Sequence, residues 1–369
     1  NARFWPAYPR CRRVAQSDLY IARAMNTSNP QAGHLNALTT RQTRTLFGLI
    51  ITTLFPAAVA CASGSFDISL WALLKGNASA LEQSVFNQIR VPRVLLSGLV
   101  GASLGLSGAA LQGLFRNPLA DPGLIAVSAG AALGAALIIV LGSQFAVGAT
   151  LGAFLLPVAA ISGAALVILL LYIMTRGFGY QGVTYMLLVG IAVNALASVG
   201  IGVLTYISDD AELRSLTFWS MGSFGGATWP LLVPALLAIT VALLMMAPAA
   251  RALDLLQLGE VEASRLGVDI VRLRYRVIFS AAAAVGASVS LSGMIGFVGL
   301  IVPHLVRLIG GVNHRYLLPG SALAGAGLLI SAGLLARTLI QPAELPVGLI
   351  TSAVGSPFFL WLIFRMQKL

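Results

Sequence analysis

The side chains that could carry out chemistry are sparse in this chain. Its 369 residues include 12 acidic residues and three histidines, and its two lysines are Lys75 and Lys368. A phosphate-binding ATPase loop has the form GxxxxGK[ST], in which lysine directly follows glycine. Leucine precedes Lys75 and glutamine precedes Lys368. The chain therefore contains no P-loop ATPase. We predict that it is not an enzyme, and that any ATP-driven motor is a separate polypeptide.

The sequence also gives little evidence for a metal site, a disulfide or a proton relay. Cys11 and Cys61 are predicted to form no disulfide, and His34, His304 and His314 show no metal-ligand spacing, so we interpret the histidines as structural. Ion-coupled carriers usually bury an ionisable group at mid-membrane. Every acidic residue instead lies between apolar stretches. This argues against proton coupling, while sodium held by backbone carbonyls remains open. We predict no catalytic, cofactor-binding or metal site.

The elements that must position these side chains are predicted from hydropathy. Hydrophobic residues make up 58% of the chain and charged residues 9%, with a mean hydropathy of +0.89. A soluble domain carries about 25% charged residues, so the solvent of this fold is the lipid bilayer. Stretches near the ~20 residues needed to cross it predict an all-α integral membrane protein with about ten transmembrane helices. They lie near residues 46–62, 94–114, 124–142, 151–174, 184–206, 231–249, 277–294, 296–309, 318–336 and 346–364.

The basic residues predict the orientation. An even number of spans puts both termini on one side, and the basic termini favour the cytoplasm because Lys and Arg are retained there. This arrangement places 18 of the 23 Lys and Arg residues inside. The net charge of +11 is scattered between apolar runs, so nucleic-acid binding is not predicted. The basic residues left outside are Lys75, Arg90, Arg93, Arg214 and Arg337.

Residues 1–45 differ from the rest of the chain. They contain seven arginines and no long apolar run. A signal peptide needs a continuous apolar core and a small-residue cleavage site. We therefore expect a basic cytoplasmic tail that is partly disordered. The residues before Met25 could instead be a non-native extension, with Met25 as the biological start. An amphipathic helix on the membrane surface is the other alternative. Residues 46–369 form the predicted transmembrane domain.

A sequence repeat links the two halves of that domain. Gly101–Gly108 reads GASLGLSG and Gly286–Gly293 reads GASVSLSG, at an offset of 185 residues. Asp121–Gly123 and Leu318–Gly320 each place Pro-Gly before a later span, as a second parallel. Chance similarity between helices rich in small residues is the alternative. The two copies fall on the second and seventh spans, which predicts an inverted-topology repeat, a common plan of alternating-access transporters.

The longest predicted cytoplasmic loop, residues 250–276, contains the sequence LGEVEASRLGVD. Glu260 favours the start of a short helix by its charge, and Gly267 is suited to end it. A helix outside the bilayer has no lipid to pack against. We therefore predict that it docks a protein partner, with a solvated connector as the alternative.

The chain resembles the permease subunits of type II ABC importers for iron–siderophores, haem and cobalamin (the FecCD family), and haem permeases most. The resemblance covers about residues 46–369 and depends on five motifs in the family's order. They are RVPR at Arg90–Arg93, QGLFRNPLADPG at Gln112–Gly123, LGEVEASRLGVD at Leu258–Asp269, GFVGLIVPH at Gly296–His304, and ELPVG at Glu344–Gly348 with GSPF at Gly355–Phe358.

The resemblance implies a homodimer in the bacterial inner membrane that works by alternating access. Its partners would be two ATPase subunits, which bind ATP and Mg²⁺, and one periplasmic substrate-binding protein. The binding protein would dock on Arg90, Arg93 and Arg337, for which interfacial snorkelling is the alternative. The coupling helices that seat in the ATPase would comprise Leu258, Gly259, Glu260, Ala263, Leu266 and Gly267.

Haem is the substrate that the resemblance favours, with an iron–siderophore or cobalamin as alternatives. Met174, Met186 and Met221 are interpreted as packing or loop residues, and no histidine is expected in the middle of a span. Haem would then pass by shape and apolar contact without axial ligation. The rival from another class is an ion-coupled secondary transporter, which would take up substrate without ATP.

Overall fold

The computed structural model describes residues 38–64, 75–142, 149–175, 182–341 and 343–366, and these form a helical bundle. Residues 1–37 of the predicted tail lie outside this part of the chain. A π-helical turn spans Phe86–Arg90, and two 3-10 turns span Pro122–Ile125 and Ala247–Ala249. The helices are α1 (Thr40–Ala62), α2 (Ala80–Val85), α3 (Val91–Phe115), α4 (Val127–Leu141), α5 (Ala149–Thr175), α6 (Gly182–Ile207), α7 (Asp210–Ser220), α8 (Trp229–Met246), α9 (Ala250–Leu256), α10 (Glu260–Arg265), α11 (Ile270–Ser292), α12 (Val298–Gly310), α13 (His314–Thr338) and α14 (Val347–Met366).

Each of the ten predicted spans coincides with an apolar helix. Seven helical segments of the described chain are long and apolar enough to cross a bilayer, and α4, α12 and α14 are shorter apolar helices. Several boundaries differ by four residues or more from the predicted ones, including the starts of the first two spans. Helix α1 begins at Thr40, inside the predicted tail, and the second segment runs without a break from Ala80 to Phe115, so it includes Arg90.

Helix α7 was not predicted, because its 11 residues are too few and too polar to resemble a span. Its start is specified locally by a capping box. The Asp209 carboxylate accepts a hydrogen bond from the backbone N–H of Glu212, and the Glu212 carboxylate accepts one from the N–H of Asp209. These bonds satisfy amide groups that a helix N-terminus otherwise leaves without partners.

The two copies of the sequence repeat form the centre of the bundle. In α3 and α11, 72% of the most apolar window is buried, compared with 6% in α1. Close approach explains the small residues. A Cβ on Gly101 would lie 2.1 Å from the carbonyl oxygen of Gly325 on α13, and one on Gly105 would lie 2.2 Å from that of Ser321. Glycine therefore permits backbone contact between α3 and α13.

The start of α3 and the end of α11 lie at the same end of the bundle. Arg93 Nε, in the first turn of α3, donates to the carbonyl oxygen of Phe224 at 3.4 Å. The neighbouring N–H of Ser223 donates to the carbonyl of Ser292, the last residue of α11, at 2.8 Å.

The opposite ends of these helices meet as well. Gln257 Nε2 donates to the carbonyl oxygen of Gly113, near the end of α3, at 2.9 Å. Glu260, three residues further along the chain, pairs with Arg274 in the first turns of α11 at 3.8 Å. Helices α3 and α11 are therefore antiparallel, as the inverted repeat requires.

After each copy of the repeat, the chain forms a turn and then a short helix. Helices α4 and α12 each follow a non-glycine residue in the left-handed region, Ala126 with φ 58° and Phe297 with φ 68°. Such residues are uncommon there, so their matching positions support the repeat. The parallel drawn with Leu318–Gly320 is wrong, because that tripeptide lies inside α13. The counterpart of the turn before α4 is the segment 293–297.

Both short helices begin near the middle of the bundle. Asn194, midway along α6, donates to the carbonyl oxygen of Gly123 at 3.3 Å. A Cβ on Gly108 of α3 would lie 2.0 Å from the carbonyl oxygen of Gly299, the second residue of α12. Asp121 caps the turn before α4, its Oδ1 accepting from the N–H of Gly123 at 2.7 Å. Asp121 therefore lies between α3 and α4, as predicted, although its turn packs against the middle of α6.

The outer helices present large apolar side chains to the surroundings. Examples are Phe55 on α1, Leu166 on α5, Leu196 on α6 and Leu244 on α8, which are 70%, 66%, 70% and 65% exposed. A soluble protein rarely exposes apolar patches of such extent. These surfaces are suited to lipid.

Candidate functional site

Charged and polar side chains gather at two opposite ends of the bundle. We call the end that holds Arg93, Arg337 and Glu344 the arginine end. The end formed by residues 250–276 is the loop end. Helix α3 runs from the first to the second, since Arg93 lies at its start and Gly113, which accepts from Gln257 of the loop end, lies near its finish.

The three arginines predicted to dock a partner line one open pocket at the arginine end. Its volume is about 330 Å³, and Glu344 lines it beside Arg90, Arg93 and Arg337. Arg93 Nη2 forms an ion pair with Glu344 Oε2 at 2.6 Å. This partner was not predicted, although the sequence placed both charges on the same side of the membrane. Helix α3 is thereby joined to the segment before α14.

Arg90 and Arg337 have a different environment from Arg93. Arg90 is 4% exposed, and its Nη1 donates to the carbonyl oxygens of Cys61, at 2.9 Å, and Ala62. Arg337 donates to the carbonyl of Ala60. The last carbonyls of a helix have no partner within it, so both guanidinium groups satisfy the end of α1. Their predicted docking role remains a prediction. Arg93 lines the same pocket and pairs there with the carboxylate of Glu344.

Two glycines with positive φ bound the predicted short helix at the loop end. Gly259, with φ 110°, precedes α10, and Gly267, with φ 87°, follows it. These conformations favour glycine because a Cβ would be strained there. The helix Glu260–Arg265 is therefore present between the residues expected to bound it.

The orientation of α10 leaves apolar side chains exposed. Ala263 is fully buried against the bundle, whereas Leu258, Val261 and Leu266 are 64%, 63% and 58% exposed. Glu260 faces α11 through its pair with Arg274. An apolar face at the end of a membrane protein, beside many charged residues, is typical of a protein-binding surface.

A groove of about 410 Å³ lies beside this helix. Helix α9, the segment after α10 and the first turns of α11 form its walls. Its charged lining residues are Arg251, Asp269, Arg272 and Arg276, so the groove carries an excess of positive charge. Asp269 also caps α11, accepting from the N–H of Arg272 at 2.9 Å.

An apolar cavity of about 170 Å³ lies between α12, α13 and α14, with Phe297, Ile301, Leu328, Val354 and Phe358 among its lining residues. His304 lies in the interior of α12, its ring 6.2 Å from that of Phe358. The expectation that no histidine occupies the middle of a span is therefore wrong for His304.

Comparison with known proteins identifies the family. The family model of the FecCD transport family matches residues 46–365. The chain belongs to the FecCD transport family. It is 44% identical to the hemin transport system permease protein of Yersinia pestis over 328 residues, which cover 89% of this chain and 97% of that protein. It is 41% identical to the vitamin B12 import system permease protein of Serratia proteamaculans over 310 residues, 82% of this chain and 88% of that one.

A solved structure supports the same family. It shows a metal-chelate-type ABC transporter in an inward-facing conformation, with a TM-score of 0.78 and 34% sequence identity, and the match covers 88% of this chain and 99% of that one. The FecCD chain described here is therefore an ABC importer permease with the family's helical fold.

Proposed function

We propose that this FecCD permease imports haem across the bacterial inner membrane as a homodimer. Two ATPase subunits bind at the loop end in the cytoplasm, and a periplasmic substrate-binding protein binds at the arginine end. Both termini are then cytoplasmic. The observation that carries the proposal is the exposed apolar face of α10 at one end of a chain that has no P-loop.

The separation of the two ends supports this arrangement. Apolar side chains of α10 and arginines of the adjoining groove suit a cytoplasmic protein that supplies ATP hydrolysis. At the other end, the guanidinium of Arg93 suits carboxylates of a docking protein. Movement of α10 on ATP binding would then open the bundle alternately to the two sides of the membrane.

Haem is favoured as substrate by the 44% identity to a hemin permease across nearly its whole length. Vitamin B12 is the second candidate, because permeases for it are up to 43% identical over 291 residues. A siderophore is the third, supported by the metal-chelate transporter of similar fold. The scarcity of charge in the spans suits a bulky ligand that is handed on without strong contacts.

Transport assays would test the proposal directly. Liposomes holding the permease with its cognate ATPase would be given haem, cobalamin or a ferric siderophore, with binding protein and ATP omitted in turn. We expect haem uptake that requires both. ATP-dependent uptake of cobalamin or of the siderophore in place of haem would keep the ABC importer mechanism and change the assigned substrate. Uptake without ATP would contradict the ABC mechanism and favour an ion-coupled carrier.

Arg93 is expected to be the main docking arginine. Arg93→Gln removes the charge without introducing repulsion against Glu344, and it should weaken binding-protein affinity about tenfold at low salt, since charge pairs across an interface are screened by ions. The measurement is binding of the protein to permease in nanodiscs at several salt concentrations.

Two matched variants separate docking from folding. Arg214→Gln removes an exposed arginine on α7 and should leave affinity unchanged. Arg90→Gln removes bonds to the end of α1 and should lower the thermal midpoint instead. Equal affinity of wild type and Arg93→Gln at low salt would argue against the docking role.

A further inference from the structure

His314, which is buried, and Asp254, which is partly exposed, form a contact between the loop end and the bundle. Asp254 lies on α9, and His314 is the first residue of α13. Asp254 Oδ1 accepts the backbone N–H of His314 at 2.8 Å and lies 2.6 Å from His314 Nδ1. The histidine is 3% exposed. One carboxylate oxygen thus holds both the backbone and the ring of the residue that begins α13.

The ring of His314 also lies against the end of α3. A Cβ on Gly113 would lie 2.3 Å from His314 Nε2, so glycine is required for this approach. The carbonyl oxygen of the same glycine accepts from Gln257 Nε2, one residue after the end of α9. Asp254, Gln257, His314 and Gly113 therefore connect α9 to both α3 and α13. We call these four residues the α9 clasp.

The clasp joins the partner-binding surface to the most tightly packed helices. A Cβ on Gly325 of α13 would lie 2.1 Å from the carbonyl oxygen of Gly101 on α3, so α3 and α13 are in backbone contact and should move together. At the other side of the clasp, Leu258 and Gly259 alone separate Gln257 from α10.

The chemistry of the clasp exceeds what packing requires. His314 Nε2 is buried and has no hydrogen-bond partner among the residues that the structure describes, and leaving a buried polar atom unpaired costs about 1–3 kcal/mol. An apolar side chain could fill the same space without that cost. What the histidine provides and an apolar side chain could not is the 2.6 Å contact with Asp254, which links α9 to α13.

We infer that the α9 clasp transmits movement of α10 to the α3–α13 pair, with Asp254 and His314 as positioning residues for transport. The inference rests on the proposed function, in which the ATPase moves α10. A rigid link between α9 and α13 makes a displacement of the loop end displace α3 and α13 as well. If the link is lost, α9 and α10 still move with the ATPase, but α3 and α13 are no longer displaced with them.

The ratio of ATP hydrolysed to substrate taken up tests this inference in the complete complex in liposomes. With Asp254→Ala and with His314→Ala, we expect ATPase binding and hydrolysis within about twofold of wild type and uptake lowered about tenfold, so the ratio rises about tenfold. His314→Asn keeps an N–H donor near the position of Nδ1 and should restore most of the coupling. Arg214→Gln, which removes an exposed arginine on α7 and lies outside both the clasp and α10, should leave the ratio unchanged.

Two results would overturn the inference. An unchanged ratio in His314→Ala, with a lowered thermal midpoint, would show that the clasp only stabilises the fold. Equal loss of coupling in His314→Asn and His314→Ala would exclude the Nδ1 bond as the link. Failure of the wild-type complex to couple ATP to uptake would instead overturn the proposed function, and this outcome is recognised before any variant is compared.

Discussion

Gly101→Val is expected to prevent correct assembly of the bundle. The Cβ would lie 2.1 Å from the carbonyl oxygen of Gly325 and 2.9 Å from the Cα of Ala326. The obstacle is backbone, so no rotation of a neighbouring side chain can relieve it, and α3 and α13 would have to separate. Overpacking usually costs about 1–3 kcal/mol, and we expect this variant to reach or exceed the top of that range.

Fluorescence-detected size-exclusion chromatography and the thermal midpoint in detergent measure this effect. Gly202→Val is the matched control. Gly202 also lies within a spanning helix, α6, but a Cβ there meets nothing within 4 Å, so its monodisperse peak and midpoint should match the wild type. A normal peak and midpoint for Gly101→Val would contradict the observed packing of α3 against α13.

Val261→Asp combined with Leu266→Asp is expected to abolish high-affinity binding of the ATPase. Both side chains are more than half exposed and belong, with Leu258, to the apolar face at α10, which we call the α10 surface. Charged replacements there face water in the free permease and leave its fold intact. In a complex they would bury carboxylates without partners. Interface anchors contribute about 2 kcal/mol each, so loss of both predicts a fall in affinity of about 1,000-fold.

Binding of the cognate ATPase to permease in nanodiscs measures the change. Leu339→Asp provides the control, because Leu339 is 60% exposed at the arginine end and its replacement should leave ATPase affinity unchanged. Unaltered ATPase affinity of the double variant would exclude the α10 surface as the docking site and would remove the main support for the proposed function.

The local pattern of the sequence was sufficient to predict the ten apolar helices and the short helix α10. Transfer of apolar residues from water to lipid dominates the energetics of each span, so hydropathy located all ten apolar helices. The glycines at 259 and 267 likewise specify the limits of α10 by their own backbone preferences. Boundaries were less accurate where polar residues continue a helix, as at Thr40 and Ala80.

The site residues depend on contacts between distant parts of the chain. Arg90 and Arg93 are three residues apart and look alike in sequence, yet one bonds the end of α1 and the other pairs with Glu344. Hydropathy and charge counts report the side of the membrane on which an arginine lies. They contain no information on which carbonyl or carboxylate it reaches.

The sequence by itself determined that the chain lies in a membrane, how many apolar helices the described residues form, and that it lacks its own ATPase loop. Each of these follows from composition or from residues adjacent in the chain. The tertiary structure decided the short helices that start at mid-bundle, the contact between Gly101 and Gly325, and the pairing of Asp254 with His314. These partners are separated by many residues, and their approach depends on how whole helices pack, which local patterns do not encode.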